Sequence, residues 1–158
     1  IAQGDVVDVA FVPQVNEYRG ERSVQMNILD IRPSCAAPCP MDTFRYRALR
    51  TGRLTPQAAA KLLPDRATLA CVWRYLAAVP GGSLQESPLC LCRKIVRRSG
   101  TELSLEQLLT CLDIFRDVGL LEEKRIHLTI AIRLRTVSGK ADLTKSETMQ
   151  TLLRAKES

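Results

Sequence analysis

The chain has 158 residues, enough for one ordinary domain or two small ones. Hydrophobic residues make up 46% and charged residues 25%, proportions that are typical of a globular protein and exclude a disordered polyelectrolyte. No apolar run approaches the length of a membrane span, and no Lys-led apolar leader opens the chain. We therefore expect a cytoplasmic protein without a membrane partner.

The positive charge is concentrated in the second part of the chain. Residues 1–60 hold 7 basic and 6 acidic residues, a net +1, whereas residues 61–158 hold 16 and 11, a net +5. A positive field of this size favours polyanionic partners but specifies no mechanism, and a solvated basic surface explains it equally well.

The first predicted element is a β-hairpin. Residues 5–12 and 23–31 alternate between apolar and polar positions, with a turn-rich stretch at 16–21 between them. Pro13 cannot donate to a ladder, so we expect the first strand to end or bulge there. Because an isolated two-stranded hairpin is marginal in water, we interpret it as the closing edge of a larger sheet. The chain is then a fragment whose remaining strands lie upstream.

Residues 34–63 are predicted to be a linker with short helices. Three prolines at 33–40 favour an irregular crossing. A short helix follows at 41–50. Thr55 as N-cap and Pro56 at the first helical position then predict a second one through Leu63.

A C-terminal domain is predicted at 64–158, beginning with two amphipathic helices. Pro64-Asp65 opens the first, which ends at Pro80 and two glycines. Its core stripe is Leu69, Val72, Trp73 and Leu76, and this makes Trp73 a core anchor rather than a base-stacking platform. The second helix, at 88–99, ends at Gly100. Its apolar side is Leu91, Cys92, Ile95 and Val96, and its opposite side is basic: Arg93, Lys94, Arg97 and Arg98.

The third helix of this domain has the clearest boundaries. Ser104 and Gln107 form a capping box, Leu103 and Leu108 a hydrophobic staple, and Gly119 the stop. The side that we expect to be exposed is acidic to neutral, which suits a DNA groove poorly. It comprises Glu106, Thr110, Asp113, Arg116 and Asp117.

Strict alternation from Ile126 to Leu134 predicts a strand in a second hairpin, whose turn the pattern does not place. Arg133 and Arg135 point to the face opposite its isoleucines, and His127 is expected to be an exposed strand residue. A final helix begins near Thr144. Two helices, a capped third helix and a β-ribbon, in this order, indicate a winged-helix-like domain in an α+β chain.

The sequence contains no complete catalytic site. A single histidine cannot form a multi-His metal centre, and the phosphate-binding and nucleophile-elbow motifs are absent. Cys71 and Cys111 lie on apolar helix faces and are expected to be reduced core residues. A zinc site is an alternative, although its spacings, C-x3-C and C-x-C, miss the usual ones. It would use Cys35, Cys39, Cys90 and Cys92.

Several segments in order resemble one bacterial family, the RecJ single-strand-specific 5′-exonucleases. Val6-Val-Asp-Val-Ala-Phe, Asn16-Glu-Tyr-x-Gly20, Val24-Gln-Met and Asp30-Ile-Arg-Pro resemble the closing hairpin of that family's OB-fold domain. Leu54-Thr-x-x-x-Ala-x-x-Leu-Leu-Pro-x-Arg66 with Val72-Trp-Arg-Tyr-Leu76 resembles the segment that follows. Phe115-Arg-Asp-Val-Gly-Leu and Gly139-Lys-x-Asp-Leu-x-x-Ser146 resemble the extreme C-terminus.

The resemblance implies a parent enzyme that degrades single-stranded DNA from its 5′ end in recombination and repair. Such enzymes are DHH phosphoesterases whose Asp and His clusters hold Mn²⁺ or Mg²⁺. Those clusters have no counterpart here, so no catalytic or metal residue carries over, and we expect no cofactor in this chain. Residues 1–33 correspond to an incomplete OB-fold.

Three functions remain open. An accessory tail would hold single-stranded DNA weakly through backbone contacts from Arg93, Lys94, Arg97, Arg98, Arg133 and Arg135. A docking module without DNA affinity would bind the parent's catalytic core, a helicase or a single-strand-binding protein. A winged-helix transcription regulator is the third, and the acidic third helix and the leading hairpin both argue against it.

Overall fold

A computed structural model describes residues 7–34, 40–126, 128–137, 139 and 141–157. The chain forms two compact units, residues 1–36 and 37–158. The fold is α+β, with helices and two antiparallel sheets. Within the described ranges, no helix is both long enough and apolar enough to cross a membrane.

The first unit is a long antiparallel hairpin, as predicted. Strand β1 spans Val7–Tyr18 and strand β2 spans Glu21–Pro33. Arg19 and Gly20 join them with φ of 52° and 80°. Positive φ at both central residues is the signature of the type I′ turn, whose twist matches that of the flanking strands.

The prediction for Pro13 is wrong, because β1 continues through it to Tyr18 and the register shift lies between Ala10 and Phe11. Pro13 faces Met26. Antiparallel pairs alternate between hydrogen-bonded and non-hydrogen-bonded, and counting from the two-residue turn makes this pair non-hydrogen-bonded. The main-chain groups of such a pair point away from the partner strand. The missing N–H of Pro13 therefore removes no bond from the hairpin.

One face of the hairpin is apolar and exposed. Its cross-strand pairs are Val9–Ile31, Phe11–Ile28, Pro13–Met26 and Val15–Val24. The large side chains among them are 40–72% exposed. The other face carries polar pairs such as Gln14–Gln25. A contiguous exposed apolar face is uncommon in a monomeric protein and is typical of an interaction surface.

The described residues of the second unit contain six α-helices, and local side-chain caps mark the starts of four of them. Thr55, Asp65, Ser87 and Ser104 each accept a hydrogen bond from the backbone N–H three residues ahead. The Ser104–Gln107 capping box is confirmed. The helices are α1 (Phe44–Arg50, after a 3₁₀ turn at Pro40–Thr43), α2 (Pro56–Leu62), α3 (Arg66–Ala77), α4 (Pro88–Ser99), α5 (Leu105–Asp117) and α6 (Glu147–Glu157).

A three-stranded sheet completes this unit. Its strands are β3 (Ser83–Glu86), β4 (Leu121–Ile126) and β5 (Thr129–Leu134), in the order β3-β5-β4 and antiparallel throughout. The sequence did not predict β3, which has only four residues between a glycine turn and a helix cap. Strand β4 ends at Ile126 and β5 begins at Thr129, and His127 lies outside the described residues.

Helix α5 lies at the centre of the second unit, with ten of its thirteen residues buried. Trp73 packs its ring edge-on against Phe115 at 5.4 Å between centroids, in agreement with the core role predicted for it. Helix α1 packs against α2 and α5, and α2 packs against α5 and α6. The stretch predicted as a connector therefore covers one side of α5.

The burial of individual leucines predicts how strongly their substitution destabilises this unit. Leu112 on α5 is fully buried, whereas Leu153 on α6 is 41% exposed. We expect Leu112→Ala to lower the free energy of unfolding by about 2–5 kcal/mol, because it removes buried methyl groups and leaves a cavity. Leu153→Ala should cost less than about 0.5 kcal/mol. Urea denaturation followed by circular dichroism measures both, and equal losses would contradict this packing.

Candidate nucleic-acid interface

Helix α4 carries the basic side chains on its outer side. Ser87 caps its start, and Gly100 ends it in the left-handed conformation, with φ of 67°. Leu91, Cys92 and Ile95 are buried, which turns the opposite side outward. That side holds Arg93, Lys94, Arg97 and Arg98, of which the last three are exposed and Arg93 is half-buried. The predicted basic face of α4 is confirmed as a surface.

Two side chains of this face have structural partners. The Lys94 ammonium lies 2.5 Å from a Glu86 carboxylate oxygen, and this hydrogen bond raises the pKa of Lys94. The Arg98 guanidinium lies 5.9 Å from the centroid of the Tyr75 ring. Lys94 is thus partly neutralised, whereas Arg98 keeps its charge above an aromatic ring.

Arg133 and Arg135 form a separate group at the sheet. Arg133 is exposed beside Ser83 and Glu122 on neighbouring strands, on the face opposite Ile132. Arg135 donates to Glu122 from Nε at 3.0 Å, and this bond lowers the pKa of Glu122. Lys94 instead contacts Glu86, at the far end of β3 from Ser83. The six predicted residues therefore form two groups, and each group contains an ion pair.

The prediction that the polar side of α5 is exposed is wrong for three of its five residues, whereas Arg116 is half-buried and Asp117 is exposed. Glu106, Thr110 and Asp113 are only 2%, 0% and 0% exposed. These residues lie one to two turns apart on one side of α5, and α1 packs over that side. A polar helix face normally indicates exposure to solvent. Here, hydrogen-bonding and charged groups of another element take the place of water.

Glu106 holds the first turn of α1. Its carboxylate accepts from the backbone N–H groups of Arg45 at 2.6 Å and Tyr46 at 3.3 Å, and from Arg45 Nε at 2.6 Å. Thr43, at the N-cap position, makes no side-chain capping bond. A carboxylate from α5 thus does for α1 what a local cap does for the other helices.

Tyr46 and Asp113 form the second attachment. The Tyr46 hydroxyl donates to Asp113 Oδ2 at 2.6 Å and accepts from Arg125 Nη2 at 2.8 Å. Burial, assisted by the Asp113 charge, raises the pKa of Tyr46, so its proton stays in place as the donor. A neutral phenol therefore links a carboxylate on α5 to a guanidinium on β4.

Arginines offset the remaining buried charge. Arg116 Nη1 lies 2.6 Å from Asp113 Oδ1, and Arg125 Nε lies 2.9 Å from Glu123 Oε1. Asp113 Oδ1 and Glu123 Oε2 accept no hydrogen bond of good geometry from the described residues, and the Arg116 guanidinium beside both oxygens offsets their charge. We call the buried carboxylates Glu106, Asp113 and Glu123, together with Tyr46, the α1–α5 polar layer.

Asp117 extends the attachment to α6. Its Oδ2 accepts from the Ser146 hydroxyl at 2.8 Å and from the Thr148 backbone N–H at 2.9 Å. Burial opposes ionisation of Asp117, but these bonds together with Arg116 outweigh it and lower the pKa. Helix α5 is therefore covered on its polar side by α1 and at its end by α6.

The cysteines that the structure describes form no disulfide with one another: Cys71, Cys90, Cys92 and Cys111. Cys92 and Cys111 are buried, and burial raises the pKa of Cys92 to about 11. No cluster of metal-ligating side chains occurs among the described residues. The conceivable zinc site also needs Cys35 and Cys39, which lie outside them.

Sequence reasoning missed a second basic segment. Residues 44–53 contain Arg45, Arg47, Arg50 and Arg53 and no acidic residue. The regional charge count concealed this run, because the first sixty residues are nearly neutral as a whole. A shorter counting window would have found it.

Comparisons with known proteins identify no relative. No family model matches the chain, and neither the curated proteins nor the solved structures contain a match. The function is therefore inferred from the chain's own residues.

The polar layer predicts that one substitution strongly lowers the free energy of unfolding. Asp113→Ala removes the acceptor of Tyr46 and leaves Arg116 without its closest buried partner. We expect the free energy of unfolding to fall by about 3–5 kcal/mol. The exposed Glu102→Ala should change it by less than about 0.5 kcal/mol. Chemical denaturation compares the two, and a small loss at Asp113 would show that water replaces its partners.

Burial also predicts the order of thiol reactivity. We expect Cys92 and Cys111 to react with a disulfide reagent at pH 8 only after unfolding, because the thiolate is the reactive form and burial disfavours it. The half-buried Cys71 and Cys90 should react first. Mass spectrometry of the labelled native protein assigns the sites, and early labelling of Cys111 would contradict its burial.

Proposed function

We propose that the chain is a non-catalytic accessory module of a RecJ-like, single-strand-specific 5′-exonuclease of DNA recombination and repair. Its role is to hold single-stranded DNA near a catalytic core in another part of the parent protein. The observation that carries this proposal is the outward basic side of α4, formed by Arg93, Lys94, Arg97 and Arg98. Within it, the Arg98 guanidinium lies 5.9 Å from the centroid of the Tyr75 ring on α3. Contacts between such a surface and a DNA backbone are electrostatic, salt-dependent and independent of base sequence.

The finer fold assignment belongs to the same proposal. Helix α3, strand β3, helices α4 and α5, and strands β4 and β5 follow one another as in a winged helix, with β3 paired to the last strand. A DNA-reading winged helix inserts its third helix into the major groove. In this chain α1 and α6 cover α5, and this argues against the transcription-regulator alternative. The outer side of α4 is the better surface for a nucleic-acid backbone.

The hairpin fits the same parent. We interpret residues 1–33 as the closing hairpin of an OB-fold, because its apolar face needs further strands to cover it. Mn²⁺ or Mg²⁺, which the resemblance implies for the catalytic core, would be held by that core and not by residues of this chain.

Protein docking is the second candidate function, and the apolar face of the hairpin favours it. Capture of the parent's catalytic core by the purified chain, lost on Val15→Glu/Val24→Glu, would support docking. Absence of any DNA affinity in the same preparation would then make docking the sole function.

The DNA-holding role is tested by reversing charge on α4. We expect Arg97→Glu/Arg98→Glu to weaken binding of a labelled thymidine oligonucleotide at least about tenfold at low salt. The slope of log K against log salt should fall by about 1.4, the contribution of two phosphate contacts on a single strand. Fluorescence anisotropy over a salt series measures both quantities.

The matched control is Lys61→Glu/Lys156→Glu, which makes the same charge change on exposed residues of α2 and α6. It should retain most of the affinity. Equal losses in both variants would mean that net charge alone drives binding. Unchanged affinity in the α4 variant would remove α4 from the interface.

A further inference from the structure

A cavity of about 420 Å³ lies beside α1, and three arginines line it. Arg47 and Arg50 come from α1, where a spacing of three residues places them as neighbours on one surface. Arg125 comes from β4 and donates to the Tyr46 hydroxyl at 2.8 Å. This size lies within the range of small-molecule sites.

Two of the three arginines contact carboxylates that do not line the cavity. Arg125 is bound by Glu123 and by the Tyr46 hydroxyl, and Arg50 lies 3.8 Å from Asp113. None of the described residues that line the cavity is a carboxylate. The buried carboxylates therefore position Arg50 and Arg125 and partly offset their charge, while the charge of Arg47 is not offset by an ion pair with the described residues.

The arginine side chains are accessible to a ligand. The side chains of Arg50 and Arg125 are 56% and 52% exposed, and Arg47 is an exposed residue that forms no ion pair with the described residues. Pro88, the first residue of α4, also lines the cavity, so the positive end of that helix dipole adds to the field. The cavity thus concentrates positive charge.

Part of the remaining wall is apolar and aliphatic. This aliphatic part consists of Pro88, Leu109, Leu128 and Ile130, and Thr43, Tyr46 and Thr129 complete the lining. A ligand that matches the whole cavity needs an anionic group for the arginines and a ring or apolar body for this wall. Arginine guanidinium groups bind phosphate oxygens in a bidentate manner, which favours a phosphate as the anion.

We propose that this cavity binds the terminal phosphate of a nucleotide, with the nucleoside against the apolar wall. Three guanidinium groups match a terminal phosphate, which carries about −1.5 to −2 at neutral pH, better than the single charge of an internal phosphodiester. The nucleotide is either the phosphorylated end of a DNA strand or a free nucleoside monophosphate. The inference rests on the proposed function for the nature of the ligand, but it uses a surface distinct from the basic side of α4.

Calorimetric titration of the full chain with thymidine monophosphate, thymidine, and a thymidine oligonucleotide with or without a 5′-phosphate tests the proposal. We expect thymidine monophosphate to bind and thymidine not to bind. Arg47→Gln should weaken monophosphate binding at least about fivefold, and Arg47→Gln/Arg50→Gln more strongly. The single variant leaves the polar layer intact and separates binding from folding. Arg53→Gln/Lys61→Gln is the control for lost charge and should bind as the unmodified chain does.

The oligonucleotide pair distinguishes the two sources. Tighter binding of the phosphorylated strand, lost in Arg47→Gln, identifies a strand end. Monophosphate binding without that preference identifies a free nucleotide. Absence of monophosphate binding at millimolar concentration, or equal losses in the control, would overturn the proposal. Failure of the α4 charge reversal to affect DNA would overturn the proposed interface on α4 but leave a phosphate preference at Arg47 unaffected.

Discussion

The second unit depends on the ionic and hydrogen-bonded contact between α1 and α5. Glu106 and Asp113 lie on a helix at the centre of the core, and burying them without partners would cost several kcal/mol each. Arg45 and the first backbone N–H groups of α1 satisfy Glu106, while Tyr46 satisfies Asp113. If either helix moved away, these charges would be exposed to solvent or left buried without a partner. The position of α1 is therefore fixed by α5.

This contact also determines which surfaces remain for a ligand. The polar side of α5 is covered by α1, and its C-terminal end is held by α6. Accessible positive charge is left on the outer side of α4 and, around Arg47, Arg50 and Arg125, in the cavity beside α1. The carboxylates of the polar layer have two effects at once: they fasten α1, and they hold Arg50 and Arg125 at that cavity. The same carboxylates therefore stabilise the packing of α1 and position the arginines of the candidate binding site.

Local signals in the sequence were reliable where the interaction itself is local. The capping box at Ser104 and the cap at Thr55 join groups only three residues apart, and both are present. The alternation of apolar and polar residues in the hairpin was equally clear, because successive side chains of a strand point to opposite faces. The exposure of Glu106 was predicted wrongly because its partners lie about sixty residues earlier in the chain. Strand β3 was missed because four residues carry too short a pattern.

By itself, the sequence determined the helices, the hairpin, the α+β class and the basic side of α4, since each follows from periodicity and capping within a short window. It also shows that the phosphate-binding and nucleophile-elbow motifs are absent from these 158 residues. Only the tertiary structure decided that the polar side of α5 is buried and that arginines from α1 and β4 share one cavity. Both depend on segments distant in sequence, and burial reverses the usual meaning of a charged residue once a partner of opposite charge replaces its water.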